Sequence, residues 1–470
     1  MKKGKLIFSV FVLLSFVCGA GVFLTSCDSN NDVSSPDNGN SSNSNEVVLK
    51  SDITGTRHLV SDSVYILQGQ INVSGILNID PGTIIKGDKV TKGCLVILPG
   101  GKINAIGTPD KPIVFTSRME PGLRAAGDWG GVIIVGRAPV NQSNPTIEGL
   151  SKAIFYGGGT DPNDNSGTLR YVRIEFAGIA LQPDNEINGL TFCAVGRGTT
   201  VDHIQVSYSG DDSYEWFGGT VNAKYLIAYC GLDDDYDIDF GYSGKVQFAL
   251  GVRNPRVADV STSNGFESDN DGNGSAFQPK TKAVFCNVTL IGPWKTSADK
   301  NVNAMFGAGM HIRRNSSLSV FNSVFAGWNT GLLLDGTSTY ANAVDSMTLN
   351  IQNCALVASK VTALNGAGGI TKDQVTNWFN TREFNNLIID DNVTAGIANS
   401  FYDATKTGMS AVPSSFLLST GSPLLNGASF DNPKLADSFL DRTPTYIGAF
   451  GSTDWTKEEW VNFDPQNTVY

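Results

Sequence analysis

The run "DDSYE" at residues 211–215 returns as "DDDYD" at 233–237, a step of 22 residues, and "FGG" at 217–219 returns as "FGY" at 240–242, a step of 23. A unit recurring at such intervals cannot bury its own apolar face, so its copies must stack on one another to make a core. The flanking sequence shows what the unit is made of. Residues 46 to about 355 are a succession of short apolar runs broken by glycine and asparagine, among them "ILNIDPGTIIKG", "GGVIIVG", "VDHIQVSYSG" and "AKYLIAYCG". These runs read as strands, and helical periodicity is missing across the region. Strands in every repeat predict an all-β chain wound as a parallel β-helix, a solenoid with loops bulging from its longer turns. Two-sheet sandwiches in series are the alternative that the same strands allow.

The later part reads differently. "TKDQVTNWFNTREFNNLI" at 371–388 offers Thr371 as a helix N-cap, with Val375, Trp378 and Phe379 on one helical face. It is expected to be a short helix inserted into the solenoid. The final segment, with Trp455 and Trp460, is expected to cap the open end, because an exposed coil edge invites pairing with another chain.

The repeat brings its acids together. Strand side chains alternate between faces, so in "DYDIDF" Tyr236, Ile238 and Phe240 point inward while Asp235, Asp237 and Asp239 point outward. One coil earlier, Tyr214 and Trp216 point in, and Asp211, Ser213 and Glu215 point out; one coil later, Phe266 points in, and Glu267, Asp269 and Asp271 point out. Equivalent positions on adjacent coils lie about 4.8 Å apart, which sets Glu215 beside Asp237. Like charges at that distance repel by about 1 kcal/mol even in water, so cations, raised pKa values or splayed side chains must relieve them. Ca²⁺ is the best chemical match, since it takes many oxygen ligands in flexible geometry. "DNDGNGSAFQPK" supplies Asp269, Asp271, Asn273 and Gly274 at the first, third, fifth and sixth positions of a calcium loop, but Lys280 stands where the glutamate belongs. The simpler reading is a turn built from Asp, Asn and Gly. Transition metals fit poorly, because the chain's three histidines, His58, His203 and His311, are far apart in sequence.

Composition removes some functions. Residues 1–26 carry three lysines and no acid, so the chain without them has a formal net charge of −11 − 3 = −14, unsuited to nucleic acid. Cys94, Cys193, Cys230, Cys286 and Cys354 each sit in an apolar run and are expected in the core as thiols.

The N-terminus, "MKKGKLIFSVFVLLSFVCGAGVFLTSC", has a basic start and an apolar run, the pattern of an export signal. An uncleaved membrane anchor is the alternative. The ending at Cys27 resembles the bacterial lipobox, which implies acylation of Cys27 and a firm membrane attachment. Residues 28–45, "DSNNDVSSPDNGNSSNSN", hold no aromatic residue and read as a tether. The expected organisation is a signal at 1–26, a lipid-bearing tether at 27–45, the β-helix at 46–360, and its continuation with helix and cap at 361–470.

Longer stretches carry a resemblance. "GDWGGVIIVGRAPVN", "LRYVRIEFAGIAL", "DDSYEWFGGTVNAKYLIAYCGLDDDYDIDFGYSGKVQF" and the ending "YIGAFG…DWT…NFDPQ" resemble a family of Bacteroidota secreted or surface proteins. That resemblance implies a right-handed parallel β-helix on the outer membrane and cell surface, without implying an activity. Two functional classes follow. One is a non-catalytic lipoprotein binding a glycan or cation, or serving a TonB-dependent uptake partner; Phe217, Tyr242 and, if the alternation slips, Trp216 are its candidate sugar platforms. The other is a calcium-dependent polysaccharide lyase or glycoside hydrolase, with Arg253, Arg256 or Lys245 as the candidate base or a carboxylate pair as acid and base. The binding class is preferred, because no lyase or hydrolase signature is present. "DSV" and "DSM" resemble the Bacteroidota O-glycosylation site and put Ser63 and Ser346 forward.

Overall fold

Successive strands pair in parallel, each with its equivalent one coil away. The computed structural model describes residues 45–470 except 148, 151–153, 155, 157 and 183–184, so the signal, Cys27 and most of the tether lie outside the described residues. A coil begins with Gln70–Val73 on face 1, turns to Ile76–Ile79 on face 2 and Ile84–Gly87 on face 3, and returns to face 1 at Cys94–Ile97, which pairs with Gln70–Val73. Face 1 is a ten-stranded sheet ending at Thr362–Ala367; faces 2 and 3 share a 17-stranded sheet. The expected parallel β-helix is therefore the fold. Register repeats the sequence period: Glu215 pairs with Asp237, 22 residues on, and Ala223 with Val246, 23 on.

From Gly167–Glu175 to Val284–Ile291 one long strand in each coil serves faces 2 and 3, turning at a single residue. That residue is Tyr171, His203, Tyr225, Phe248 and Asn287 in successive coils, all with φ between 50° and 61°. Asn322 and Asn353 hold the same place in the next two coils, with φ of 52° and 54°. Left-handed backbone costs a non-glycine residue about 1–2 kcal/mol, which stacking offsets here. Ring centroids are 4.5 Å apart for Tyr171–His203, 4.3 Å for His203–Tyr225 and 5.0 Å for Tyr225–Phe248. Inside the coil Tyr214, Trp216, Tyr236, Ile238 and Phe266 are buried, as alternation requires. Phe240, expected inward, is not: the backbone leaves the pleat there at φ 49°, and the ring packs half-buried against the outward Phe217. The Tyr214 hydroxyl donates to the backbone oxygens of Ile204 and Ile227 at 2.8 and 3.0 Å, so its burial leaves no polar atom stranded.

The helix forms at Lys372–Phe379, capped by Thr371 and Gln374 in a reciprocal box, and buries Val375, Trp378 and Phe379. It is shorter than the helix-compatible run, because Leu387–Ile389 returns to face 3 against Ala355–Val357. Packed on Thr362–Ala367, this helix closes the end of the core. The C-terminal segment does something other than the expected capping: it runs back along the outside of the bend. Asn353 donates to the Gly427 oxygen at 2.8 Å, Asn322 to Ser429 at 2.9 Å, Gln247 to Asp441 at 2.7 Å, Gln205 to Asn462 at 2.8 Å, and Lys86 to Tyr470 at 3.2 Å. Trp460 meets His203 edge-on at 5.4 Å and Trp455 meets Tyr225 at 5.5 Å. The tryptophans thus seal the side of the solenoid, where the outward rings would otherwise face water.

The five described cysteines are unpaired and buried. Burial pushes the Cys94 and Cys286 thiols up to about 12, out of reach of thiolate chemistry. No helix among the described residues is long and apolar enough to cross a membrane.

Candidate acidic site on face 1

Outward positions in register along face 1 are Thr191, Glu215, Asp237, Glu267 and His311. The three carboxylates of this file come from the short strands Tyr214–Phe217, Tyr236–Asp239 and Phe266–Ser268. A second outward file holds Phe217 beside Asp239, then Asp269 and Arg313. Phe217 is outward but covered: it packs against Phe240 at 5.2 Å and joins Ile147 and Tyr156 in an outer apolar cluster. Tyr242 is fully buried, with its hydroxyl donating to Val221 at 2.7 Å, and Trp216 points inward without any slip. None of the three presents a platform to solvent.

Alternation fails just before each strand, at the corner entering face 1. There Asp212, Asp234 and Asn264 form a ladder along the axis. The Asp234 amide donates to Asp212 Oδ1 at 2.8 Å, the Asn264 amide donates to Asp234 Oδ1, and the Ala308 amide donates to Asn264 Oδ1 at 2.9 Å. Each side chain satisfies a backbone group of the next coil, so two nearly buried aspartates are held in place for structural reasons. Their carboxylates nevertheless join the outward acids. Ligand oxygens of Asp234, Asp237 and Glu267 all lie within 4.8 Å of one another, as do those of Asp212, Glu215 and Asp237, and of Asp211, Asp212 and Asp233. These are buried to half-buried acidic clusters that could hold a cation.

The electrostatics agree with that geometry. Burial, then neighbouring carboxylates, hold Asp212, Asp234 and Asp237 well above the ordinary carboxylate range. Asp239 is raised by burial and Asp269, and Asp233 by burial to about 6. Protons or a cation must reduce the charge here. At the downstream edge the protein supplies its own cations. Arg313 pairs with Glu267 and, at 2.9 Å, with Asp269; Arg314 reaches Asp269 at 2.7 Å. His311 stands 3.7 Å from Glu267. At the upstream edge Asn188 donates to Glu215.

Several expected site residues are elsewhere or otherwise engaged. Asp235 precedes its strand and turns away from Asp237 into a fully buried ion pair with Arg253 at 2.9 Å. Arg253 also donates to the backbone oxygens of Asp233 and Leu232, which makes it a corner brace that no substrate can reach. Arg256 is exposed on the turn beyond it. Lys245 opens a face 2 strand and pairs with Asp437 at 2.8 Å, away from the acids. The 269–274 run is a turn: Asp271 accepts from the Asn273 and Ser275 amides at 2.9 and 3.2 Å, Asn273 is exposed, and Asp269 is taken by the two arginines. Trp129 is a buried corner residue, donating to the Glu175 oxygen at 2.8 Å. Ser63 and Ser346 lie at the surface, half-buried and exposed respectively.

The residues missed by sequence reasoning are Asp212, Asp233, Asp234, His311 and Arg313. The doubled aspartates at 211–212 and 233–234 carried a usable signal in their 22-residue step. Arg313 carried none, because a 44-residue step separates it from Asp269 across a long insertion.

Fold and face together define a parallel β-helix with stacked carboxylates on one outer sheet. The chain belongs to the pectate-lyase-like β-helix domain family, whose model matches residues 51–399. Comparison with curated proteins finds no match, and comparison with solved structures finds none.

Proposed function

We propose that face 1 binds a divalent cation, Ca²⁺ being the best chemical match, and that the cation-loaded face holds an extended ligand such as a glycan without turning it over. The observation that carries this reading is the Asp234–Asp237–Glu267 cluster, whose oxygens converge from two adjacent strands and the corner that enters the first of them. Ca²⁺ accepts several carboxylate and carbonyl oxygens in flexible geometry, which a face of short strands and a corner can supply. The neighbouring file extends the site along the solenoid axis, a shape suited to a chain-like ligand. We also propose that the domain is attached to the outer membrane through acylated Cys27, displayed at the cell surface, and able to serve an uptake partner there. The basic, apolar and cysteine-terminated start of the chain supports this.

Calorimetric titration of residues 46–470 with Ca²⁺ tests the cation. Heat and a raised melting temperature are expected, both abolished by D237N with E267Q. Absence of both in the unaltered chain removes the proposal. A catalytic reading draws support from one pair: Asp237, raised by burial, stands beside Glu267 on the next coil and gives a candidate acid and base. Arg313 suits a lyase base poorly, because Glu267 and Asp269 favour its charged form. Unsaturated or newly reducing products from polysaccharides, lost in D237N, would favour catalysis over binding.

A further inference from the structure

A second charged site lies around the next corner, between faces 1 and 2, and its sign is opposite. A cavity of about 480 Å³ is lined there by Lys245, Lys280, Lys282 and Lys434, with Ser243, Gln278, Val284, Ser317 and Thr348 completing the wall. The lining comes from the turns that open successive face 2 strands, together with Lys434 of the returning C-terminal segment. No carboxylate is in the lining, and Asp437, paired with Lys245, is the one acid bonded to these lysines among the described residues. Four ammonium groups against one carboxylate leave 4 − 1 = +3, in a chain of formal net charge −11. Lys280 is held by the neutral oxygens of Asn315 and Asn342 at 2.6 and 3.1 Å. Lys434 donates to Ser319 Oγ at 2.8 Å and to the Thr348 oxygen. Both are thus fixed in place and partly desolvated without being neutralised. Burial and the nearby charge of Lys282 pull Lys434 down to about 8.

We propose that this corner pocket binds a tetrahedral oxyanion, a phosphate or sulfate, carried as an ester on a sugar. Near neutral pH a phosphate ester carries close to two negative charges and a sulfate ester one, and either offers the lysines three terminal oxygens where a carboxylate offers two. The cavity is many times the roughly 30 Å³ that a water takes in the liquid, so it has room for more than the anion. Its hydroxyl and amide groups both donate and accept, matching sugar hydroxyls. The site is separate from the acidic face and does not rest on its cation.

The test is calorimetry of the full soluble chain in chelator, with galactose 6-sulfate, galactose 6-phosphate, inorganic sulfate, inorganic phosphate and galactose as probes. The esters are expected to bind at least tenfold more tightly than the inorganic anions, with no heat from galactose and with affinity falling as salt rises. K282Q should weaken the esters fivefold or more, and K50Q, in the first coil, should not. Lys282 is exposed, its amide donates to the Tyr242 oxygen at 2.9 Å, and its side chain has no hydrogen bond or ion pair among the described residues, so K282Q is not expected to disturb the fold. Near pH 8, ester binding should take up protons as Lys434 regains its charge among Lys245, Lys280, Lys282 and Asp437, seen as heat that varies with the buffer. Silence from every anion, or binding indifferent to K282Q, overturns the pocket. Inorganic anions binding as tightly as their esters overturn the sugar.

Discussion

Two files of outward side chains run along this solenoid at the same spacing, one on the bend between faces 2 and 3 and one on face 1. On the bend, Tyr171, His203, Tyr225 and Phe248 stack as rings, and Asn287, Asn322 and Asn353 continue the file as amides. On face 1, Glu215, Asp237 and Glu267 stack as carboxylates. Parallel stacking copies each side chain onto its like. Rings attract when copied, amides bond the returning C-terminal segment, and carboxylates repel. The first file was therefore available to stabilise the fold and is covered. The second opposes the fold and stays partly open to solvent, which is why function is assigned to it.

Three changes separate the files, from the largest expected effect to the smallest. Trp460→Ala removes a fully buried ring that covers the first file and should cost about 3–5 kcal/mol in urea unfolding. A loss below about 1 kcal/mol would mean that the C-terminal segment is not part of the folded unit. Asn322→Ala breaks the two-way bond with Ser429, 2.9 and 3.0 Å, and should cost about 1–3 kcal/mol. Asn322→Gly, which keeps the left-handed backbone but not the bond, should be destabilised too. Asp237→Asn should act in the opposite direction, stabilising the cation-free chain by on the order of 1 kcal/mol at neutral pH. Equal melting of D237N and the unaltered chain in chelator would deny that the acidic file is under repulsion.

The aspartates of face 1 and of the corner that enters it set a pH dependence. Asp233 and Asp235 rise from 3.8 to about 6, each chiefly through burial, and Asp212, Asp234, Asp237 and Asp239 are raised as well. The folded chain therefore holds more protons than the unfolded chain above pH 3.8. Their contribution to stability is fully present below that pH and is lost as pH rises through the folded values, from about 6 upward. Ca²⁺ should flatten that loss by replacing protons, so a cation-dependent gain in melting temperature should grow with pH.

Much of this was legible in the chain. The 22- and 23-residue steps require stacking, alternation sorts Tyr214 and Trp216 from Glu215, and Thr371 announces a helix start. These are local rules acting within a few residues. They lapse at corners, where the backbone leaves the pleat: alternation sets Asp235 outward with Asp237, yet it belongs to Arg253, whereas Asp212 and Asp234 enter the site from the turn. What the sequence alone determined was the coil, its period and the inward residues other than Phe240, because the hydrophobic effect acts on a pattern that can be read along the chain. Which outward residues meet was left to tertiary structure. The C-terminal segment lies against the bend, Arg313 faces Asp269 and Lys434 joins Lys282 through contacts between residues 44 to more than 250 apart in the chain. Variable loop lengths hide such contacts from any fixed spacing.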